Sequence, residues 1–134
     1  GMSKARKSGY HHGALQEALI RSALEIIARE GLEGLTLRKV ARHAGVSHAA
    51  PAHHFEDLRG LLAALAEEGY QRLLMYMQEL PQRAGDTRHE PRTAIEGLQA
   101  VGAGYIRFAA ENPGHFRTMF HHVLRDKRPY PGLS

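Results

Sequence analysis

From Leu15 onward the apolar residues Leu15, Ala18, Leu19, Ala23, Ile26 and Ile27 recur at intervals of three and four, the spacing of one helical face. Gly31 supplies a C-terminal stop, so the pattern predicts a first helix over 12–30. A second, shorter pattern starts at Thr36, with Leu37, Val40, Ala41 and Ala44 apolar, Arg38, Lys39 and Arg42 outside, and Gly45 at its end. Thr36 is a good N-cap because its hydroxyl accepts a bond from a backbone N–H that has no partner inside the helix. Only Gly45 and Val46 then precede Ser47, a second N-cap candidate, ahead of a short segment over 48–54. Two short helices joined by so tight a turn must cross steeply. That is a helix-turn-helix, with glycine absorbing the backbone angle and Val46 plugging the space between the helices.

Behind Glu56 and Asp57 the residues Leu58, Leu61, Leu62, Leu65, Leu73, Leu74, Met77 and Leu80 predict a long fourth helix, running to about residue 79 and ended by Pro81. The stretch 81-PQRAGDTRHE-90 reads as a mobile connection, and Pro91 opens a helix whose face is Ile95, Leu98, Gly102, Tyr105, Phe108 and Ala109. Asn112 followed by Pro113 restarts the pattern, with Phe116, Met119, Phe120 and Val123 apolar. No segment alternates with the period of a strand. The fold class is therefore all-α.

Charge and composition narrow the function. Eighteen Lys and Arg stand against 14 Asp and Glu, a net charge of +4, and the excess sits at the N-terminus. There Lys4, Arg6 and Lys7 meet no acid, so residues 1–11 read as a basic flexible arm with affinity for a polyanion, a merely solubilising tail being the alternative. A mean hydropathy of −0.42 fits a soluble globular protein, and no apolar run is long enough for a bilayer. With no cysteine, disulfides, thiolate metal sites and thiol catalysis are excluded, which suits a reducing cytoplasm. Gly1 ahead of Met2 reads as a scar of tag removal, and no secretion signal follows it.

The segment 31-GLEGLTLRKVARHAGVSHAAPAHHF-55, with the long helix before it and the leucine-rich helix after it, resembles the DNA-binding domain of TetR/AcrR-type transcriptional regulators. Two further stretches, 10-YHHGAL-15 and 111-ENPGHFRTMF-120, resemble one branch of that family. The resemblance implies a helix-turn-helix domain over 12–57 and part of a helical ligand-binding and dimerisation domain over 58–134. It implies a homodimer that lays each third helix in a major groove of double-stranded DNA at a palindromic operator. It also implies a repressor released by an unidentified small-molecule effector, with no cofactor and no membrane. The alternative is a truncated or effector-independent DNA-binding protein that pairs with another partner. Two positions depart from the family: Ala52 stands where a tyrosine usually touches the DNA, and Leu58 where a lysine usually bonds a phosphate. Arg59 and the arm are the candidates to compensate.

Ser47, His48, Ala49 and His53 are expected on the DNA face, His48 making one bond at a time to a base edge; capping competes at Ser47 and plain solvation at the histidines. Thr36 and Lys39 are the expected phosphate contacts, against the alternative of a solvated charged face. His54 and Phe55 read as structural. Tyr105, Phe108, Phe116, Met119 and Phe120 are the candidates to line an effector cavity, with ordinary core packing as the competing reading. The histidines at 48, 53 and 54 suit a metal poorly: adjacent ligands point apart and no carboxylate completes a tetrahedron. No nucleophile and base stand at a usable spacing, and no glycine-rich phosphate loop is present, so an enzyme is not expected.

Overall fold

The computed structural model describes the backbone of residues 2–83 and 93–125 and the side chains of 12–78 and 93–121. Among the described residues there are six helices and no strand: α1 Met2–Glu30, α2 Leu37–Ala44, α3 Ala50–Phe55, α4 Leu58–Arg83, α5 Ala94–Glu111 and α6 Pro113–Arg125. The all-α class and the order of elements are as expected.

The three-four stripe of α1 does what its spacing requires. Leu19, Ala23, Ile26 and Ile27 lie at or below 6% exposure, and they meet Leu35, Val40, Phe55, Leu61 and Leu65 in one core. Each such side chain contributes roughly 1.5–3 kcal/mol by leaving water. Thr36 caps α2 as predicted, its Oγ1 accepting from the Lys39 N–H at 3.0 Å. Gly45 closes that helix with φ 72°, the left-handed region that an L side chain enters only under strain, and the next N–H, that of Val46, bonds the Ala41 carbonyl at 3.0 Å. Val46 is packed against the core as the plug between α2 and α3.

Boundaries differ from expectation in three places. α1 begins at Met2, not at residue 12, so the stretch expected as a flexible arm is helical: Met2, Lys4, Ala5, Arg6 and Lys7 are good helix formers and no proline interrupts them. α4 continues two residues past Pro81, because a proline in the last turn forfeits only one hydrogen bond. The opening proline expected at 91 and the connection through 92 lie outside the described residues, apart from the end of α4; the cap of α5 is Thr93, which accepts from the Glu96 N–H at 3.1 Å.

The two halves of the chain are clasped by α6, which packs on α1 and α4. Gly114 is pressed onto α1, where a Cβ would stand 2.7 Å from the Leu24 carbonyl oxygen, and Gly69 of α4 is pressed onto Met119. Arg117 donates to the Ile27 and Ala28 carbonyls at 2.8 and 3.1 Å, placing a cation at the negative end of the α1 dipole. Asn112 does not cap α6 with its side chain. Its Oδ1 accepts from Arg72 at 3.3 Å and its amide donates to the Tyr76 hydroxyl at 3.0 Å, fixing the α5–α6 corner on α4.

His115 is 3% exposed, with Nε2 2.6 Å from Glu68 Oε2. Burial pushes its pKa below the ordinary 6.5, and although the Glu68 hydrogen bond and charge oppose this, they do not overcome it; Arg72 and Arg21 push the same way as burial. Burial, helped by His12 and His53, also lowers His54. Each imidazole therefore takes up a proton less readily in the fold than in the unfolded chain. The stability they confer is fully present above pH 6.5 and is lost as pH falls below it toward the depressed folded values. The urea midpoint should therefore be lower at pH 5.5 than at pH 7.5, and His115→Gln should shrink that difference; a midpoint that rises on acidification contradicts the assignment.

Candidate nucleic-acid interface

The short α3 divides cleanly into an anchored side and a free side. Pro51 and Phe55 are buried, Ala50 and His54 half-buried, whereas Ala52 and His53 are exposed. Just ahead of the helix, Ser47, His48 and Ala49 are exposed as well. The four residues expected to face DNA are thus all exposed, as is Ala52. The backbone that presents them differs from expectation. Ser47 is not the N-cap: its carbonyl accepts from the Ala50 N–H at 3.1 Å in a turn, and Ala49 holds the cap position without a side-chain bond. The physical reason is Pro51, which sits in the first turn of a helix starting at Ala50; a proline is tolerated there because the N–H it lacks would have no partner inside the helix. His48 therefore projects from the turn rather than from the helix.

On the helices packed against α3, the cap Thr36, the basic residues Arg38, Lys39 and Arg42 of α2, and Arg59 at the start of α4 are all exposed. The Lys39 ammonium sits 2.8 Å from Glu30 Oε2, and this bond holds the Glu30 carboxyl below the usual carboxylate range. An exposed pair of this kind is weak, so a phosphate can compete for the lysine. The side chains of Lys4, Arg6 and Lys7 lie outside the described residues.

Two supporting contacts were not legible in the sequence. His43, in the last turn of α2, has Nδ1 3.0 Å from Ser22 Oγ and Nε2 3.2 Å from Glu25 Oε2, which orients α2 on α1. His12 of α1 lies with its ring centroid 4.3 Å from that of His54 and 6.3 Å from that of His53, bracing the end of α3. These contacts span 18 residues of sequence or more, and no local pattern signals them. His54 Nδ1 is buried without a hydrogen-bond partner among the described residues. Among those residues no three His, Cys, Asp or Glu side chains converge as a metal site.

The α3–α4 junction is held by an unusual turn. Glu56 has φ 70° and ψ −58°, and the Asp57 N–H bonds the Phe55 carbonyl at 2.9 Å, a γ-turn with a left-handed centre that costs of order 1–3 kcal/mol. Asp57 then caps α4, its Oδ1 accepting from the Gly60 N–H at 2.8 Å. A Cβ at Gly60 would collide with the Phe55 carbonyl oxygen.

The five effector candidates separate into two environments. A cleft of about 390 Å³ opens between the α1–α2 connection and α6, lined by Glu30, Gly31, Leu32, Glu33, Phe116, Arg117, Phe120 and His121. Phe116 and Phe120 contribute their rings to it, and Tyr105 packs edge-on behind them at centroid distances of 5.8 and 6.4 Å. Phe108 and Met119, 0% and 4% exposed, belong instead to the packed interior, Phe108 against Tyr76 and Met119 against Gly69.

Residues 19–65 match the family model of bacterial regulatory proteins of the tetR family. The class C tetracycline repressor of Escherichia coli is 50% identical over 52 residues, covering 39% of this chain and 24% of its own. An uncharacterized HTH-type transcriptional regulator of Bacillus subtilis, YobS, is 27% identical over 117 residues, covering 87% of this chain and 56% of its own. Among solved structures, a protein of unknown function from Rhodococcus sp. RHA1 is similar with a TM-score of 0.65 and 34% identity, over 93% of this chain and 59% of that one. The chain thus spans less than two thirds of the length of each of these relatives.

Proposed function

Because this chain is built on the helix-turn-helix domain of the TetR family of bacterial regulatory proteins, we propose that it is a sequence-specific DNA-binding transcriptional repressor of the cytoplasm, acting as a homodimer. The observation that carries the reading is the division of α3. Pro51 and Phe55 are buried, while Ser47, His48, Ala49, Ala52 and His53 are exposed, with Arg38, Lys39, Arg42 and Arg59 exposed on the helices packed against α3. A helix about 10 Å across fits a major groove about 12 Å wide, and a two-fold dimer reads a palindrome whose half-sites lie about one helical turn apart.

Thr36, Lys39 and Arg59 hold phosphates in this reading, and the first turns of α1, with Lys4, Arg6 and Lys7, add attraction to the backbone. Base reading falls to His48 and His53, with Ser47 and Ala49 beside them. A small apolar effector enters at the aromatic end of α6, around Tyr105, Phe116 and Phe120, and moves α6. Since α6 is clasped to both α1 and α4 through Arg117, Gly114 and Gly69, such a shift reaches the helices that carry α3. Footprinting on the promoter next to the protein's own gene tests the reading. Protection of a two-fold symmetric site is the expected result; the absence of any protected site overturns it.

A further inference from the structure

Three imidazoles meet where the end of α3 rests on α1. The His12 ring lies tilted by 35° against that of His54, with centroids 4.3 Å apart, and His53 stands edge-on to them at 6.3 and 5.7 Å. His12 and His53 are exposed. His54 is half-buried, and its Nδ1 is closed off from solvent with no hydrogen-bond partner among the described residues. The next residue, Phe55, is anchored in the core, so the His54 ring can leave α1 only if the end of α3 turns about that anchor.

Such a stack suits neutral rings. A protonated imidazole carries a donor on each nitrogen and needs two acceptors, and the enclosed Nδ1 of His54 has none. The charges that act on His54 are those of His12 from α1 and His53 from its own helix; both oppose a proton, and no carboxylate offsets them. The other two helices packed on α3 supply no counter-charge. On α2, His43 is turned to Ser22 and Glu25 of α1, while Arg38, Lys39 and Arg42 are exposed. At the start of α4, Asp57 is bonded to the Gly60 N–H, and Glu56 and Arg59 are exposed. A proton therefore settles on His54 most readily when the ring swings off α1 and Nδ1 reaches water.

We propose that His12 and His54 are a positioning pair for α3: stacked while neutral, they hold Ser47, His48, Ala49 and His53 in place for DNA, and protonation parts them, so that acid weakens DNA binding. The inference rests on the DNA-binding reading above and adds a control to it. Linkage bounds the size of the effect. A ring that titrates at the ordinary 6.5 once free of α1 can shift the balance between seated and open α3 by no more than about tenfold at pH 5.5.

NMR titration of the imidazole ring protons and DNA affinity at two pH values test the pair together. In the wild type the His54 ring should titrate below 6.5, and His12→Gln, which removes one of the two opposing charges, should raise it. His54→Phe keeps an aromatic ring against His12 but takes no proton. Between pH 7.5 and 5.5 the wild type should lose about threefold to tenfold in affinity for the promoter next to its own gene, relative to His54→Phe. That comparison cancels the charge that exposed His48 and His53 gain near phosphate in both proteins. Because His12 is exposed, His12→Gln leaves the fold intact and decides the matter by NMR even if His54→Phe does not fold. A wild-type His54 that titrates at 6.5 or above, or that does not respond to His12→Gln, overturns the proposal. So do parallel pH profiles for the wild type and His54→Phe. The two readings fail separately: a chain that binds no DNA at pH 7.5, with His54 titrating low and responding to His12→Gln, sinks the repressor and upholds the pair as the seam between α1 and α3.

Discussion

Gly60→Ala should destabilise the protein by about 2–3 kcal/mol, lowering the melting temperature by roughly 10 °C, and should weaken DNA binding with it. The added methyl group has no flexible side chain to push aside. It meets the Phe55 carbonyl oxygen and lies 3.0 Å from the carbonyl carbon, both backbone atoms, so the γ-turn at Glu56 must open and α3 must shift against α4. Gly13→Ala is the matched control. Gly13 lies within α1 with nothing within 4 Å of its Cβ position, and alanine there should stabilise by about 0.5–1 kcal/mol through helix propensity. Thermal unfolding followed by circular dichroism checks both. Equal melting temperatures for the two variants would show that the α3–α4 junction is not the tight point described.

His48→Ala and Lys39→Ala should weaken DNA binding in two distinguishable ways. On the proposed reading His48, exposed in the turn ahead of α3, gives one hydrogen bond to a base edge; losing it should relax preference at one position per half-site by about 1 kcal/mol, or roughly fivefold. Lys39 reads no base. Its loss should weaken all sequences alike and reduce the slope of log affinity against log salt by about one per protomer. Anisotropy titrations against the operator and single-base variants separate these outcomes, and the reverse pattern would exchange the two roles.

Much of the fold was legible because it is local. The intervals of Leu19, Ala23 and Ile27, the Thr36 cap and Gly45 each act within a turn or two of chain, so periodicity and capping chemistry identified them. The exposed face of α3 was legible for the same reason, since Phe55 and Val46 fix which side turns inward. What was missed depends on distance or on competition. The sequence reading made Ser47 the cap of α3, but Pro51 at the first turn sets the helix start at Ala50, and a serine cap lost to a proline constraint. The core role of Phe108 and Met119 rests on packing against Tyr76 and Gly69, more than thirty residues away. His12 beside His54 and His43 on Ser22 are likewise long-range contacts. Ala52 remains the least expected residue of α3: it is exposed and carries only a methyl group where the family resemblance implied a tyrosine.

The central claim is that α3, flanked by the basic residues of α2 and α4, docks on DNA and reads the groove between the phosphates they hold. Its most direct test is the affinity for the promoter next to the protein's gene as salt is raised from about 50 to about 200 mM. With six or more phosphates contacted per dimer, the account predicts a loss of at least about a thousandfold, linear in log salt. An affinity that barely changes over that range would contradict it.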